Sequence, residues 1–366
     1  MAEICWDNVL VLQTSFLGDT VLTLPLIAEI RRRFPVKRLS VLCLPLSRDL
    51  LQDHPAIDEI IVDDKRKTDR GLAGVRRKAA ALRACGFTLA LTPHKSLRSA
   101  MMLALAGIPN RVGFRESHGW FLFHHLAQRD PTRHDVERNL SVLQALGVSI
   151  TECRRDIEFP VSPASQESVN QKLKAFGIAD DKLLIGINPG SIWPTKRWAP
   201  SGFAELIQML REKFDCQIVI FGGADDKDVV DAVQSRCGGA GISLAGRIDL
   251  RELPAAISRC AVFVTNDSGP MHVAVGRKVP TVAIFCATTP SLGFYPYTDN
   301  AIVVEKALSC RPCASHGGRR CPLGTEDCIR QIGSAKVLAA VEELLRSARS
   351  RLASSVESFQ PRFMLV

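Results

Sequence analysis

Short runs of Val, Ile and Leu, set apart by longer amphipathic stretches, recur along the chain in two series, and this rhythm limits the possible fold more than any other feature. The first series falls at 9–12, 39–44, 57–62 and 87–91. Runs this short and this uniformly apolar suit strands covered on both faces of a parallel sheet. Between them, 20–33, 72–84 and 97–106 have helical periodicity, the last meeting stop signals at Gly107 and Pro109. Pro25 sits inside the first of these helices and forces a kink or a later start. The second series places strands at 183–188, 217–221, 261–265 and 281–285, with helices at 203–213, 226–235, 250–258 and 334–349. A βαβ rhythm stated twice predicts an α/β protein of two doubly wound, Rossmann-like domains facing one another across a cleft.

A chain of 366 residues exceeds the usual size of one hydrophobic core. The expected division is a first domain over 1–160, a linker over 161–182 marked by Pro160, Ser162, Pro163 and Ser165, a second domain over 183–349, and a poorly ordered tail over 350–366. With 46% hydrophobic and 23% charged residues the composition is that of a globular protein and excludes a disordered or fibrous one. Residues 1–13 lack the basic region and small-residue cleavage site of a secretory signal. No run approaches the roughly 18 apolar residues of a membrane span, so the expectation is a cytoplasmic protein.

The net charge of +9 is concentrated in the first half, at Arg31–Arg33, Lys37 and Arg38, Lys65–Lys67 with Arg70, and Arg76–Lys78. Such clusters attract an anionic partner, whether nucleic acid, an acidic lipid surface or a phosphorylated glycolipid; equally, they can be solvated helix faces. A nucleic-acid-binding protein would be expected to show an aromatic stacking platform or a recognition helix, and neither pattern is present.

Ligands of doubly wound sheets bind beyond the carboxyl ends of the strands, and three loops at such ends carry the chemistry. The first, Thr14 to Thr20, contains Gly18, suited to a tight turn, and Asp19 at a helix start, where a carboxylate can cap the helix or take a proton from a bound hydroxyl. The second, Pro189 to Trp198, offers Ser191, Thr195 and Lys196 as donors to a diphosphate. The third runs from Asn266 through Asp267, Ser268, Gly269 and Pro270 into a helix bearing His272. Its free N–H groups and helix dipole form a phosphate site, with Pro270 placed where a first helical turn accepts proline.

Of twelve cysteines, eight are isolated in apolar surroundings and read as small core residues. Cys310, Cys313, Cys321 and Cys328 instead form a C-x2-C-x7-C-x6-C cluster within a loop spanning 308–330. The spacing admits structural zinc or iron, paired disulfides or free thiols, and departs from the two close pairs of a zinc ribbon.

Taken together, five segments resemble the lipopolysaccharide heptosyltransferases of glycosyltransferase family 9, in particular the heptosyltransferase II branch. They are Gln13 to Asp19 with Leu24-Pro25, Gly107 to Phe114, Asn188-Pro189-Gly190 with Lys196-Arg197-Trp198, Phe221-Gly222-Gly223, and Thr265 to Ala274. The resemblance implies a GT-B fold and an inverting, metal-independent transfer of heptose from ADP-heptose to an inner-core hydroxyl of lipopolysaccharide, with no cofactor required for catalysis. By that likeness Asp19 is the general base and Lys196 holds the donor phosphates. Asp225, next to Asp226, would meet the donor's ribose or sugar, while Ser268, Gly269 and His272 cradle the diphosphate. Arg98, Arg111 and Arg115 are the acceptor-binding candidates. The partners implied are a nucleotide sugar, the lipopolysaccharide core acceptor and, peripherally, the cytoplasmic face of the inner membrane, with no nucleic acid. Another nucleotide sugar or acceptor on the same architecture is the alternative.

Overall fold

A computed structural model describes residues 4–350 and 359–366, with side chains absent from the description at 348–350. The chain divides into two compact units, one ending at Pro160 and the other beginning at Val161.

The first unit is built on six strands: β1 (Asn8–Gln13), β2 (Arg38–Cys43), β3 (Glu59–Val62), β4 (Leu89–Leu91), β5 (Asn110–Phe114) and β6 (His125–Ala127). All pair in parallel, in the order β3-β2-β1-β4-β5-β6. The order reverses direction between β1 and β4, which creates a switch point at the carboxyl ends of those two strands. Residues 9–12 of β1 are wholly buried, as a central strand covered on both faces requires. After β1 the chain forms a short helix, Leu17–Val21, and a second, Leu24–Arg33, with Thr23 as its cap residue and Pro25 in its first turn. Proline thus splits the expected helix in two, because its missing N–H is tolerated only near a helix start. Gly18 makes no tight turn, being a residue of the first short helix.

The second unit contains β7 (Leu183–Asn188), β8 (Cys216–Ile220), β9 (Ile242–Ser243), β10 (Val262–Asn266), β11 (Thr281–Phe285), β12 (Ala301–Glu305) and β13 (Arg362–Leu365). These are also all parallel, in the order β13-β12-β11-β10-β7-β8-β9, with the reversal between β7 and β10. Trp198, Phe203, Ile207 and Leu210 pack on the same core as Val337, Val341 and Leu344 of the helix Ser334–Ser350.

Within 161–182 the helical stretch expected up to Phe176, ahead of Gly177, is the helix Pro163–Ala175, capped by Ser162 and fixed to the second unit where Lys172 (2.6 Å) and Ser168 (2.6 Å) both reach the carboxylate of Glu252. In the tail, 351–358 lie outside the described residues, but 362–365 extend the second sheet as β13, with Ile302 to Glu305 as register partners. Among the described residues no helix is long and apolar enough to cross a membrane.

Part of the basic charge is structural. Arg32 and Arg33 both clasp the buried carboxylate of Glu29, and Arg31 bonds Asp58 and the carbonyls of Val36 and Ala56. Burial pushes the Glu29 carboxyl up, but hydrogen bonds from Arg32, Arg33 and the Arg154 backbone outweigh it and hold the group below its ordinary range.

Candidate functional site

At the β7/β10 switch point of the second unit, two strand-end loops are braced against each other. Asn188, the last residue of β7, donates through Nδ2 to Thr265 Oγ1 (3.0 Å) and Ser268 Oγ (3.2 Å). Asn266, the last residue of β10, returns the contact, donating to the Pro189 carbonyl (2.8 Å) and accepting from the Trp198 N–H (2.9 Å). The loops therefore hold a fixed geometry before any ligand arrives.

Within this frame Lys196 Nζ lies 2.7 Å from Asp267 Oδ2, with only 15% and 6% of the two side chains exposed. Thr288 Oγ1 donates to the same carboxylate oxygen at 2.7 Å, and Ser191 Oγ donates to the Asp267 carbonyl at 3.2 Å. Asp267 is thus the hub that aims the lysine. Thr288, from the segment after β11, lacked any motif in the sequence to mark it. Ser268 caps the helix Gly269–Gly276, whose first turn presents backbone N–H groups lacking intrahelical acceptors. His272, one turn in, is buried, and its Nδ1 has no hydrogen-bond partner among the described residues. Burial chiefly lowers its pKa to about 4; Asp267 opposes the shift and Lys196 adds to it, so the ring is neutral at physiological pH.

Of the acidic pair after β8, Asp225 is exposed, whereas Asp226 turns into the site. Its Oδ2 accepts the Gly223 N–H (3.1 Å), its Oδ1 lies 3.6 Å from the Arg197 guanidinium, and it packs so closely on Gly190 that a Cβ there would come within 2.4 Å of its Cγ. The placement favours Asp226 over Asp225 as the acidic residue of this site.

In the first unit, Asp19 occupies the third position of the helix Leu17–Val21 and its Oδ2 accepts the Phe16 N–H at 3.0 Å. Its carboxylate is therefore oriented by the helix start and is partly exposed. Gln13 and Thr23 fix the surrounding loop, Gln13 Nε2 donating to Thr23 Oγ1 (3.0 Å) and Thr23 Oγ1 to the Asp19 carbonyl (2.8 Å). Lys65, from the loop after β3, donates to the Thr14 carbonyl (2.6 Å) and feels the Asp19 charge; burial chiefly depresses its pKa, reinforced by Arg98. In the sequence Lys65 was one member of a charged run, indistinguishable from its exposed neighbours Arg66 and Lys67.

The three candidate arginines separate. Arg98 forms a two-pronged pair with the buried Asp63 and donates to the Asp69 carbonyl (2.8 Å), so it braces the loop after β3. Arg111 lies near the amino end of β5, the opposite edge from the site, where its guanidinium caps the Ile108 and Leu122 carbonyls. Its side chain has a local structural use. Arg115, just past the carboxyl end of β5, is exposed.

All twelve cysteines are free thiols, which removes the disulfide alternative. Of the eight isolated ones, Cys43, Cys153, Cys237, Cys260 and Cys286 are buried as expected, while Cys5 is exposed and Cys85 and Cys216 are half-buried. The four clustered thiols influence one another: burial first, then Cys310 and Cys321, push Cys313 up, and burial raises Cys328 to about 11. Cys321 is pulled down by the backbone N–H groups of residues 323–326. Among the described residues, no group of three or more potential ligands is gathered into a metal-holding arrangement.

Two parallel, doubly wound units, one with an oriented carboxylate and the other with a buried lysine at a strand-order reversal, have the make-up of a GT-B nucleotide-sugar transferase. The model of glycosyltransferase family 9 (heptosyltransferase) matches residues 75–322. The chain belongs to that family and is a glycosyltransferase of the heptosyltransferase type. Lipopolysaccharide heptosyltransferase 2 of Salmonella typhimurium is 29% identical to it over 295 residues, covering 77% of this chain and 84% of its own. Among solved structures, a family 9 glycosyl transferase of Veillonella parvula matches with a TM-score of 0.84 and 27% identity, over 94% of this chain and 99% of that one. The E. coli ADP-heptose lipopolysaccharide heptosyltransferase II matches in fold with a TM-score of 0.76 and 24% identity, over 93% and 99%.

His54 and His94 share the state of His272, each with a pKa lowered to about 4, chiefly by burial. Because all three sit below the ordinary 6.5 when folded, the unfolded chain takes up protons first as pH falls. Their contribution to stability is complete above pH 6.5 and is lost on descending toward pH 4. Urea unfolding followed from pH 7.5 to 4.5 should show this decline; a flat profile would contradict the neutral buried imidazoles.

Proposed function

We propose that this chain transfers heptose from ADP-heptose to a hydroxyl of the lipopolysaccharide inner core, with inversion at the sugar carbon. The observation that carries the reading is the buried Lys196–Asp267 pair at the β7/β10 switch point, beside the start of the helix Gly269–Gly276. The Salmonella typhimurium relative is a lipopolysaccharide heptosyltransferase, which supports the choice of sugar and acceptor.

The second unit is the donor domain in this scheme. Lys196 meets the diphosphate, the N–H groups at Ser268 and Gly269 add further donors, and neutral His272 offers a hydrogen bond without a charge. Asp226 faces the ribose or sugar. The first unit is the acceptor domain, with Arg115 and Lys65 toward its anionic groups. Asp19 takes the proton as the acceptor oxygen attacks the anomeric carbon. The new C–O bond forms while the bond to the phosphate oxygen breaks, and ADP departs with its charge balanced by Lys196. One in-line displacement inverts the centre without a covalent intermediate.

Asp19→Asn is expected to lower kcat by about 10²- to 10⁴-fold while ADP affinity stays unchanged. Lys196→Ala should weaken ADP binding by about 10- to 100-fold, the loss of a charged hydrogen bond. Turnover of ADP-heptose with defined core acceptors, alongside calorimetry with ADP, reads both. An Asp19→Asn enzyme of normal rate would sink the general-base assignment, and transfer from a different nucleotide sugar alone would replace the donor.

A peripheral membrane contact is part of the proposal, and its surface is the exposed pair Trp120 (53%) and Phe121 (62%) with Leu97, flanked by exposed Lys95 and Arg115. Aromatic rings beside cations suit the headgroup layer of an anionic leaflet. Flotation with anionic vesicles should recover the wild-type protein and not Trp120→Ser/Phe121→Ser. Equal recovery of the two would discard this surface.

Cys310, Cys313, Cys321 and Cys328 are proposed to hold a structural zinc or iron that takes no part in the chemistry. Cys313, Cys321 and Cys328 line one small pocket, and backbone N–H groups favour the Cys321 thiolate; the metal would have to draw together thiols that are not gathered into a ligand set without it. Purified protein should carry about one equivalent of metal per chain by elemental analysis; neither zinc nor iron in a folded, active preparation rules this out.

A further inference from the structure

The cysteine-bearing loop lies against the lysine that the proposed function assigns to the donor diphosphate. Thr195 and Gly318 are joined by three hydrogen bonds. Thr195 N donates to the Gly318 carbonyl (3.2 Å), Thr195 Oγ1 donates to the same carbonyl (3.0 Å), and Gly318 N donates to Thr195 Oγ1 (2.8 Å). A hydroxyl acting as donor and acceptor at once has its geometry fixed. Thr195 is buried as well, so its side chain is committed to the loop. On the other side, the Thr195 carbonyl accepts the Ala287 N–H (3.2 Å), and Ala287 in turn accepts from Cys313 N (3.1 Å).

Gly317 completes the wall. Its φ of +81° favours glycine, and a Cβ there would come within 2.8 Å of Lys196 Cγ and 3.0 Å of Cδ. The backbone of Gly317 therefore lies flat against the aliphatic stem of Lys196, on the path that carries Nζ to Asp267. A lysine stem has four rotatable bonds and loses much freedom when held in one direction. The loop restricts that freedom before the ligand binds.

We propose that Thr195, Gly317 and Gly318 are positioning residues, a clamp through which the cysteine-bearing loop holds Lys196 in its diphosphate-binding direction. The inference rests on Lys196 being the donor-phosphate lysine. It reassigns Thr195 from a ligand donor to a residue that acts through its neighbour.

The test is a double-mutant comparison with ADP as the probe, read by calorimetry, with thermal melting to confirm folding. Thr195→Val keeps the shape and removes the hydroxyl; it should weaken ADP binding about 10-fold, while Thr195→Ser should bind as wild type. In a Lys196→Ala background, Thr195→Val should cause no further loss, because the group it positions is gone. If the losses add, Thr195 contacts the nucleotide itself and the clamp is overturned. Normal affinity in Thr195→Val, with reduced affinity in Lys196→Ala, removes the clamp and leaves the donor site standing. Normal affinity in Lys196→Ala removes the lysine assignment, and the clamp with it. Should Thr195→Val fail to fold, Gly317→Ala supplies the same comparison, since its Cβ strikes the lysine stem that Lys196→Ala deletes.

Discussion

The ion pair between Lys196 and Asp267 depends on, and in turn organises, nearly everything at the working edge of the second sheet. An ammonium group this buried requires a partner, and Asp267 supplies it from a different strand end. Asp267 is held by Thr288, from a third segment, and at its carbonyl by Ser191, from the loop that carries Lys196, while the loops themselves are braced by Asn188 and Asn266. Three stretches remote in sequence thus meet at one aspartate. A parallel sheet whose order reverses between β7 and β10 brings these loops together at one edge. Beside the pair, buried His272 stays uncharged.

The strands and their parallel pairing were legible because a buried parallel strand writes itself as an uninterrupted run of β-branched and aliphatic residues. β7 and β11 fall where the apolar runs do, residue for residue. β5, β6 and β9 did not announce themselves, being short or carrying Asn110, Arg111 and His125. β13 was missed because the run Arg362–Leu365 alternates exposure, as an edge strand does, at the end of a chain where order is not expected. At the site, loops with a distinctive local pattern were found, and residues whose role is purely spatial were not. Thr288 and Lys65 have no sequence neighbours that betray what they touch. Arg111 shows the converse: a cation in a family-like segment reads as ligand-binding from sequence, and the structure adds that its guanidinium donates to the Ile108 and Leu122 carbonyls.

The two units solve the placing of a candidate functional side chain differently. In the first, Asp19 is oriented by its own helix start, through Phe16, and by a polar cluster of Gln13 and Thr23 within ten residues of it in sequence. In the second, Lys196 is oriented by residues 71 and more than 100 positions away. A local device survives changes elsewhere in its sheet. A distributed one couples the lysine to the integrity of the whole strand-end surface, including the loop that carries four thiols.

That loop is tethered largely by one side chain. Arg311, with 2% of its side chain exposed, reaches the carbonyls of Phe285 at the end of β11 and of Cys286 and Thr288 just past it, that of Lys306 beyond β12, and the carboxylate of Glu305. A planar guanidinium can satisfy so many acceptors at once, and a lysine cannot. Anyone trimming this chain toward a smaller catalyst by excising 308–330 would therefore leave a row of carbonyl oxygens at the ends of two neighbouring strands without their shared donor. The insert behaves as a plug in a socket, and a shortened chain would need a new cation at that spot before its sheet edge could be quiet again.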